Sequence, residues 1–379
     1  MKIVIDDNII FAEDAFSMLG SISLLNGRLI TNKILKNTDA LIVRSITSVN
    51  EELLKKTKIK FIGTATIGTD HIDTNYLQKN KIVFADAKSC NADSVAEYVF
   101  TALLKIAADE KISLSKKTIG IIGVGIIGSR IEKLARALGM KVLKNDPPKE
   151  REGIGSGYVS LNDIFDVDII TLHVPLNKKG KDKTFHLLGD KNLKHIKEGT
   201  IIINTSRGEV IKNSALLKES RTKSFKLVLD VWENEPNLNT ELIKEAQIGT
   251  SHIAGYSFEG KTNGTKLIYD ALCNHLNKKP TWEPSLPVLE HSEISLPEGK
   301  TIEERLFKLF CSIYNIEKDN DGLRNVLHLK TNNLREEYFD LLRKLYPLRR
   351  EFTNYTISLQ AEDLALKPIL EAFRFKIKK

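Results

Sequence analysis

Apolar residues in this chain come in short runs, each followed by a stretch in which they recur every three or four positions. Residues 2–5, 40–43, 61–64 and 82–84 are runs of the first kind. Unbroken apolar character over so short a length predicts parallel strands buried on both faces. Between them, 49–56 and 75–79 predict helices. A long helical pattern through Val95, Tyr98, Val99, Ala102, Leu103 and Ile106 leads to a second set of strand-like runs at 118–122, 141–144, 169–172, 200–204 and 227–231, with a last short segment before Ser251-His252. Strands alternating with helices over this length predict doubly wound parallel sheets. Residues 260–276 predict one helix returning the chain to the first unit, and Pro280, Pro284, Pro287 and Pro297 mark an irregular linker. Beyond it, helical patterns at 303–313 and 334–345 mix with a strand-like one at 355–359. The expected fold is α/β: two doubly wound parallel-sheet (Rossmann-like) domains with an additional α+β C-terminal domain. The expected boundaries are 1–93 with 257–284, then 94–256, then 285–379.

One loop in this pattern carries chemistry. The run Thr118-Ile119-Gly120-Ile121-Ile122 leads into Gly123-Val124-Gly125-Ile126-Ile127-Gly128, a helical pattern follows and stops at Gly139, and the next apolar segment ends at Asp146, eighteen residues past Gly128. A dinucleotide site needs that order. Gly123 allows the tight turn, Gly125 lets the backbone approach a pyrophosphate, and Gly128 brings helix against strand. The helix N-terminus, with Ile126 and Ile127 in its first turn, faces the phosphates, and the acid takes the ribose hydroxyls. Because a carboxylate repels a 2′-phosphate, Asp146 favours NAD over NADP, a repulsion that the flanking Lys144 and Lys149 would soften.

Composition narrows the remaining choices. The 379 residues are 41% hydrophobic and 28% charged, enough for two or three domains, with a formal net charge of +8. The lysines are interleaved with acids and form no compact basic patch with aromatics, which argues against nucleic acid while favouring an anionic substrate. Cys90, Cys273 and Cys311 have no CxxC or metal-type spacing, and no HExxH motif or Cys/His cluster suggests a metal. Free thiols fit a reducing compartment. The N-terminus lacks the apolar stretch of a signal peptide, and no run approaches the ~20 apolar residues of a membrane span. The chain is read as cytoplasmic, with no membrane partner.

Three polar residues fall at or after strand ends, where open α/β sheets place their ligands. They are Arg207 in Asn204-Thr205-Ser206-Arg207-Gly208, Glu235 in Asp230-Val231-Trp232-Glu233-Asn234-Glu235-Pro236, and His252 in Thr250-Ser251-His252-Ile253-Ala254-Gly255. In this order after the glycine loop, these motifs resemble the D-isomer-specific 2-hydroxyacid dehydrogenase family. The resemblance implies that Arg207 clamps a substrate carboxylate, His252 handles the hydroxyl proton and Glu235 hydrogen-bonds the histidine. A 2-hydroxy acid is oxidised only as a base takes the hydroxyl proton, and neutral imidazole suits that role near neutral pH. A guanidinium offers the carboxylate a bidentate fork.

Further stretches are similar to one branch of that family, whose members oxidise a phosphorylated four-carbon hydroxy acid in vitamin B6 biosynthesis. They are Val43-Arg44-Ser45, residues 63–73, Cys90-Asn91-Ala92, Asp146-Pro147-Pro148 and residues 252–261. This likeness implies that Ser45, Thr66 and Tyr256 contact substrate, and that Val174, Ser206, Asp230 and Gly255 join the glycine loop around NAD. Asp230 equally suits a structural role at its strand end. Arg44 is a candidate partner for the phosphate, and equally a surface arginine. His71 and His173 are read as structural. The branch's C-terminal domain dimerises, so a homodimer is expected, as is closure of the two α/β units on one another. Two departures stand out: Ala87-Lys88-Ser89-Cys90-Asn91 replaces the usual Ala-Pro-Gly-Cys-Asn, and Val174 replaces a frequent threonine. The same chemistry on 3-phosphoglycerate, or an NAD-sensing co-regulator of this fold, would also use the glycine loop, though a co-regulator need not keep all three polar residues.

Overall fold

Eleven strands build two parallel sheets. The first sheet contains β1 (Lys2–Asp6), β2 (Ser21–Leu25), β3 (Ala40–Val43), β4 (Phe61–Thr64) and β5 (Val83–Asp86) in the order β2-β1-β3-β4-β5. The second contains β6 (Thr118–Ile122), β7 (Lys141–Asn145), β8 (Ile169–Leu172), β9 (Ile201–Asn204), β10 (Lys226–Leu229) and β11 (Ile248–Gly249) in the order β11-β10-β9-β8-β6-β7. A small third sheet joins β12 (Glu293–Ser295), β13 (Thr356–Ser358) and β14 (Lys376–Ile377). The computed structural model describes residues 1–378. Met1–Asn91 and Tyr256–Val288 form one unit; the second begins with Ala92–Gly255 and takes in the chain from Leu289 onward. The C-terminal stretch therefore shares a unit with the six-stranded sheet.

The interior strands are mostly apolar because helices cover both faces. All of β3, β4, β8 and β9 is buried, each large aliphatic side chain contributing ~1.5–3 kcal/mol. In the first unit the helix Phe258–His275, capped by Ser257, packs Ile268, Tyr269 and Leu272 against Ile3, Ile5 and Phe61. In the second unit Leu323, Val326 and Phe339 from the C-terminal stretch lie in one cluster with Trp232, Leu238 and Leu242 of the α/β part. Aromatic rings extend this packing: Phe310 lies 4.5 Å from Phe352 and 4.8 Å from Phe373, and Phe373 lies 5.3 Å from Phe100 on the helix Ala92–Glu110.

Strand order fixes where ligands can reach each sheet. In the second sheet the chain runs from β6 to β7 on one side, then crosses to β8 on the other, so the glycine loop after β6 sits at a topological switch point. The segments leaving β8, β9, β10 and β11 reach the same edge. In the first sheet Arg44 and Ser45 follow β3, and Thr66 follows β4. Among the described residues no helix is long and apolar enough to cross a membrane, and no group of three or more His, Cys, Asp or Glu is placed to hold a metal.

Candidate active site

Asp230 organises the loop that carries His252. It follows β10, where strand pairing ends at Leu229 rather than continuing to residue 231, and it is almost wholly buried. Its carboxylate accepts the hydroxyl of Thr250 at 2.6 Å and the backbone N–H groups of Ile253 at 2.8 Å and Ala254 at 3.0 Å. Its carbonyl accepts the N–H of His252 at 2.8 Å. Four donors from one short loop thus converge on one residue, and the carboxylate's visible work is to hold that loop. His252 itself sits at φ 59°, a left-handed conformation. Such a backbone costs ~1–3 kcal/mol and persists only where the surroundings over-determine it.

The side chains then meet. Nδ1 of His252 lies 2.8 Å from Oε2 of Glu235, while Oε1 of Glu235 accepts the N–H of Trp232 at 2.8 Å. With Nδ1 engaged, Nε2 is the nitrogen available to a substrate hydroxyl. Burial disfavours the imidazolium, but the charge and hydrogen bond of Glu235 outweigh it and hold the His252 pKa above its ordinary value. The charge of Arg343 opposes this shift and Asp230 adds to it. Burial likewise disfavours the Glu235 carboxylate, yet His252, Arg343 and the Trp232 N–H keep its pKa below the usual range. The pair is thus poised to pass a proton at the histidine without protonating the acid.

Arg207 reaches the same strand-end edge from β9. Asn204 accepts the N–H and hydroxyl of Ser206 at 3.1 and 2.8 Å and donates to the Arg207 carbonyl at 3.0 Å, fixing the turn. A Cβ on Gly208 would lie 1.9 Å from the Trp232 carbonyl carbon. Only glycine lets this turn touch the segment leading to Glu235. Ser206 is buried, and Arg207 is half-buried with Nη1 donating to the Ser206 carbonyl at 2.7 Å.

On the first unit, Arg44 and Lys261 lie 5.4 and 4.6 Å from the ring centre of Tyr256. Thr66 bonds the Thr64 hydroxyl at 2.7 Å and donates to the Gly68 carbonyl at 3.0 Å, and His71 reaches Thr64 at 3.0 Å. Ser45 lies in the turn after β3. These residues all belong to the first unit, whereas the cofactor and catalytic candidates belong to the second.

The model of the D-isomer specific 2-hydroxyacid dehydrogenase NAD binding domain matches residues 101–254, and residues 285–368 match a domain of unknown function. An erythronate-4-phosphate dehydrogenase of Proteus mirabilis is 44% identical over 361 residues, 94% of each chain. One of Hydrogenovibrio crunogenus is 39% identical over 377 residues, 99% of this chain and 98% of its own. This chain belongs to the erythronate-4-phosphate dehydrogenase family. Similar solved structures include D-lactate dehydrogenase of Aquifex aeolicus with NAD and lactic acid, at 25% identity and TM-score 0.62. Another is NAD+-bound 3-phosphoglycerate dehydrogenase of Entamoeba histolytica, at 26% and 0.62. Each match covers 73% of this chain and 95% of the other.

As expected of an erythronate-4-phosphate dehydrogenase family member, the residues around the glycine loop fit NAD. No side chain caps the helix Ile126–Ala137 at its N-terminus, and a Cβ on Gly125 would meet nothing within 4 Å. A Cβ on Gly128, by contrast, would lie 2.1 Å from the Gly123 carbonyl oxygen. The cradle is open on the phosphate side and closed on the packing side. Asp146 accepts one backbone N–H on each carboxylate oxygen, from Val124 at 2.8 Å and Lys149 at 3.1 Å, so each keeps a lone pair for a ribose hydroxyl. Its lysine neighbours are engaged elsewhere: Lys149 donates to the Val124 carbonyl at 2.7 Å and Lys144 pairs with Glu132 at 3.2 Å. Val174 packs beside Gly123, and Gly255 closes the segment after His252.

The two departures from the family pattern have local explanations. Ser89 adopts φ 70°, a conformation that glycine takes without strain. At Val174 the missing hydroxyl leaves an apolar contact. His173 is held by Thr171 at 2.8 Å, and burial pushes its pKa down to about 3, which keeps it neutral. A second pair, His186 with Glu233 at 2.5 Å, lies near in sequence to Glu235 and was not foreseen, because no motif marks it. Arg343 and Lys261 were also missed. Nothing in a lysine- and arginine-rich sequence says which cations reach a site.

Proposed function

We propose that this chain oxidises 4-phospho-D-erythronate to 2-oxo-3-hydroxy-4-phosphobutanoate with NAD, in the cytoplasm, as a step of pyridoxal 5′-phosphate biosynthesis. The Glu235–His252 pair carries this reading, standing in the same unit as a glycine cradle and Asp146. NAD, when bound, supplies the hydride acceptor. His252 takes the substrate hydroxyl proton on Nε2 and returns it when the reaction runs in reverse. Glu235 fixes the tautomer and stabilises the imidazolium as it forms. Arg207 anchors the carboxylate next to the reacting carbon. Arg44, Ser45, Thr66 and Tyr256 are proposed substrate contacts, with Arg44 directed to the phosphate. Gly123, Gly125, Ile126, Ile127, Gly128, Asp146, Val174, Ser206 and Gly255 are proposed to line the cofactor. A substrate panel followed by NADH absorbance tests the assignment. We expect kcat/KM on 4-phospho-D-erythronate to exceed that on 3-phosphoglycerate by about 100-fold or more; equal or reversed values would remove the substrate assignment while leaving the chemistry.

The active form is proposed to be a homodimer. Leu334, Leu341, Leu345 and Leu348 are 48, 45, 68 and 59% exposed. Their spacing of seven, four and three residues puts the first three on one face of the helix Asn332–Lys344 and its end. A second copy of the same stripe would cover them. Light scattering should give the mass of two chains for the wild type and of one chain for Leu341→Glu/Leu345→Glu. A wild-type monomer at micromolar concentration would discard the proposal.

A further inference from the structure

The stretch matched to a domain of unknown function reaches the strand and loop that end in His252. Asn320 accepts the N–H of Gly249 at 3.0 Å, on β11 just before that loop. Arg324 donates to the carbonyl of Ala246. On the other side of the histidine, Arg349 donates from Nη1 to the carbonyl of Ala254 at 3.2 Å. Its Nη2 donates to the Ser94 carbonyl at 2.7 Å, at the start of the helix Ala92–Glu110. Arg349 is 4% exposed, and its guanidinium lies 3.8 Å from the centre of the Tyr314 ring. Glu97 stands 4.0 Å away, and the same carboxyl group accepts the Phe352 N–H at 2.9 Å. The guanidinium therefore has one geometry available, between a ring and two carbonyls.

From these contacts we propose that Arg349 is a positioning residue for the reaction: by holding the Ala254 carbonyl, it keeps His252 in its left-handed backbone conformation and in register with Glu235. The logic is one of completeness. Asp230 takes the loop's N–H groups, from His252, Ile253 and Ala254. A carboxylate and a carbonyl, being acceptors, can do nothing for the Ala254 carbonyl, which belongs to the next peptide group. A buried donor must hold it, and Arg349 is that donor. Lysine cannot replace it, because one ammonium cannot serve two carbonyls and lie flat on a ring. The domain of unknown function thus has work inside its own chain, separate from any contact between subunits.

This proposal rests on His252 being the base, so its test is run beside His252→Ala. Full-length Arg349→Lys is assayed with NAD and 4-phospho-D-erythronate. We expect kcat to fall about 10- to 100-fold, as small misplacements of a reacting group do, while NAD affinity is unchanged. The groups facing the imidazole are Glu235, Arg343 and Asp230. If the histidine drifts from Glu235, the acid limb of the kcat/KM profile should move to lower pH, which mere loss of folded protein would not cause. In the His252→Ala background the same substitution should cost nearly nothing, since the group it positions is gone. Tyr314→Leu, which removes the ring under the guanidinium and keeps its charge, should shift kcat and the pH profile the same way by less. It decides the matter alone if Arg349→Lys does not fold. Native kcat and an unmoved pH profile in cooperatively melting variants would overturn the proposal, as would an equal loss with and without His252. Wild-type turnover in His252→Ala would instead overturn the base assignment.

Discussion

Replacing His252 by alanine should lower kcat for oxidation by about 10²- to 10⁴-fold, the usual worth of a positioned general base. That is about 3–5 kcal/mol of transition-state stabilisation. NAD affinity should stay native, because the glycine loop and Asp146 do not touch His252 in the hydrogen-bond network described. Since the residue sits at φ 59°, part of any alanine effect would be the backbone relaxing. Asparagine tolerates that conformation better than most residues, so His252→Asn separates the two causes. It should lose as much turnover as alanine while the loop stays in place. Steady-state rates with isothermal titration of NAD check both, and near-native turnover in either variant would end the assignment of His252 as base.

Glu235→Gln should change the pH dependence as well as the rate. Oxidation needs neutral imidazole in the free enzyme, so wild-type kcat/KM rises with pH and levels off above the raised pKa of His252. Reduction needs the imidazolium, so it falls as pH rises through the same value. Glutamine keeps the shape and can still accept the Trp232 N–H, but it removes the charge that opposes burial. Burial and the charge of Arg343, which both lower the histidine's pKa, are then opposed only by Asp230, the weakest of these influences. The acid limb of oxidation should therefore move below the ordinary 6.5, and the decline of reduction should begin at lower pH. We expect kcat to drop by about 10²- to 10⁴-fold because the imidazolium loses its partner and the tautomer its anchor. Superimposable profiles for variant and wild type would show that Glu235 does not govern His252.

Much of this was legible because the chemistry forces particular residues into particular places. A glycine at 128 is required by a 2.1 Å approach to a carbonyl, and such a requirement shows in any sequence that meets it. Strands buried on both faces read as unbroken apolar runs for the same reason. The edge strand β2 escaped because Ser21–Leu25 alternates and is half exposed. Both β12 and β14 are only two or three residues long and carry charged side chains. The helix Ile316–Arg324 hides behind five charged residues and a glycine. The role of Asp230 in holding its loop was open in the sequence, since its donors are one hydroxyl and several backbone amides twenty and more residues away. Arg349 gave no signal at all: a buried arginine and a surface arginine are spelled the same way.

The contact of Gly208 with Trp232 has a practical meaning for anyone wishing to redirect this enzyme. It ties the turn bearing Arg207, the proposed carboxylate anchor, to the segment bearing Glu235 of the proposed acid–base pair. Substitutions there would break the reaction before they changed its substrate. The first unit's own set of Arg44, Ser45, Thr66, Tyr256 and Lys261 is a separate group of side chains. A library confined to those five positions is where a dehydrogenase for a different acid should be sought.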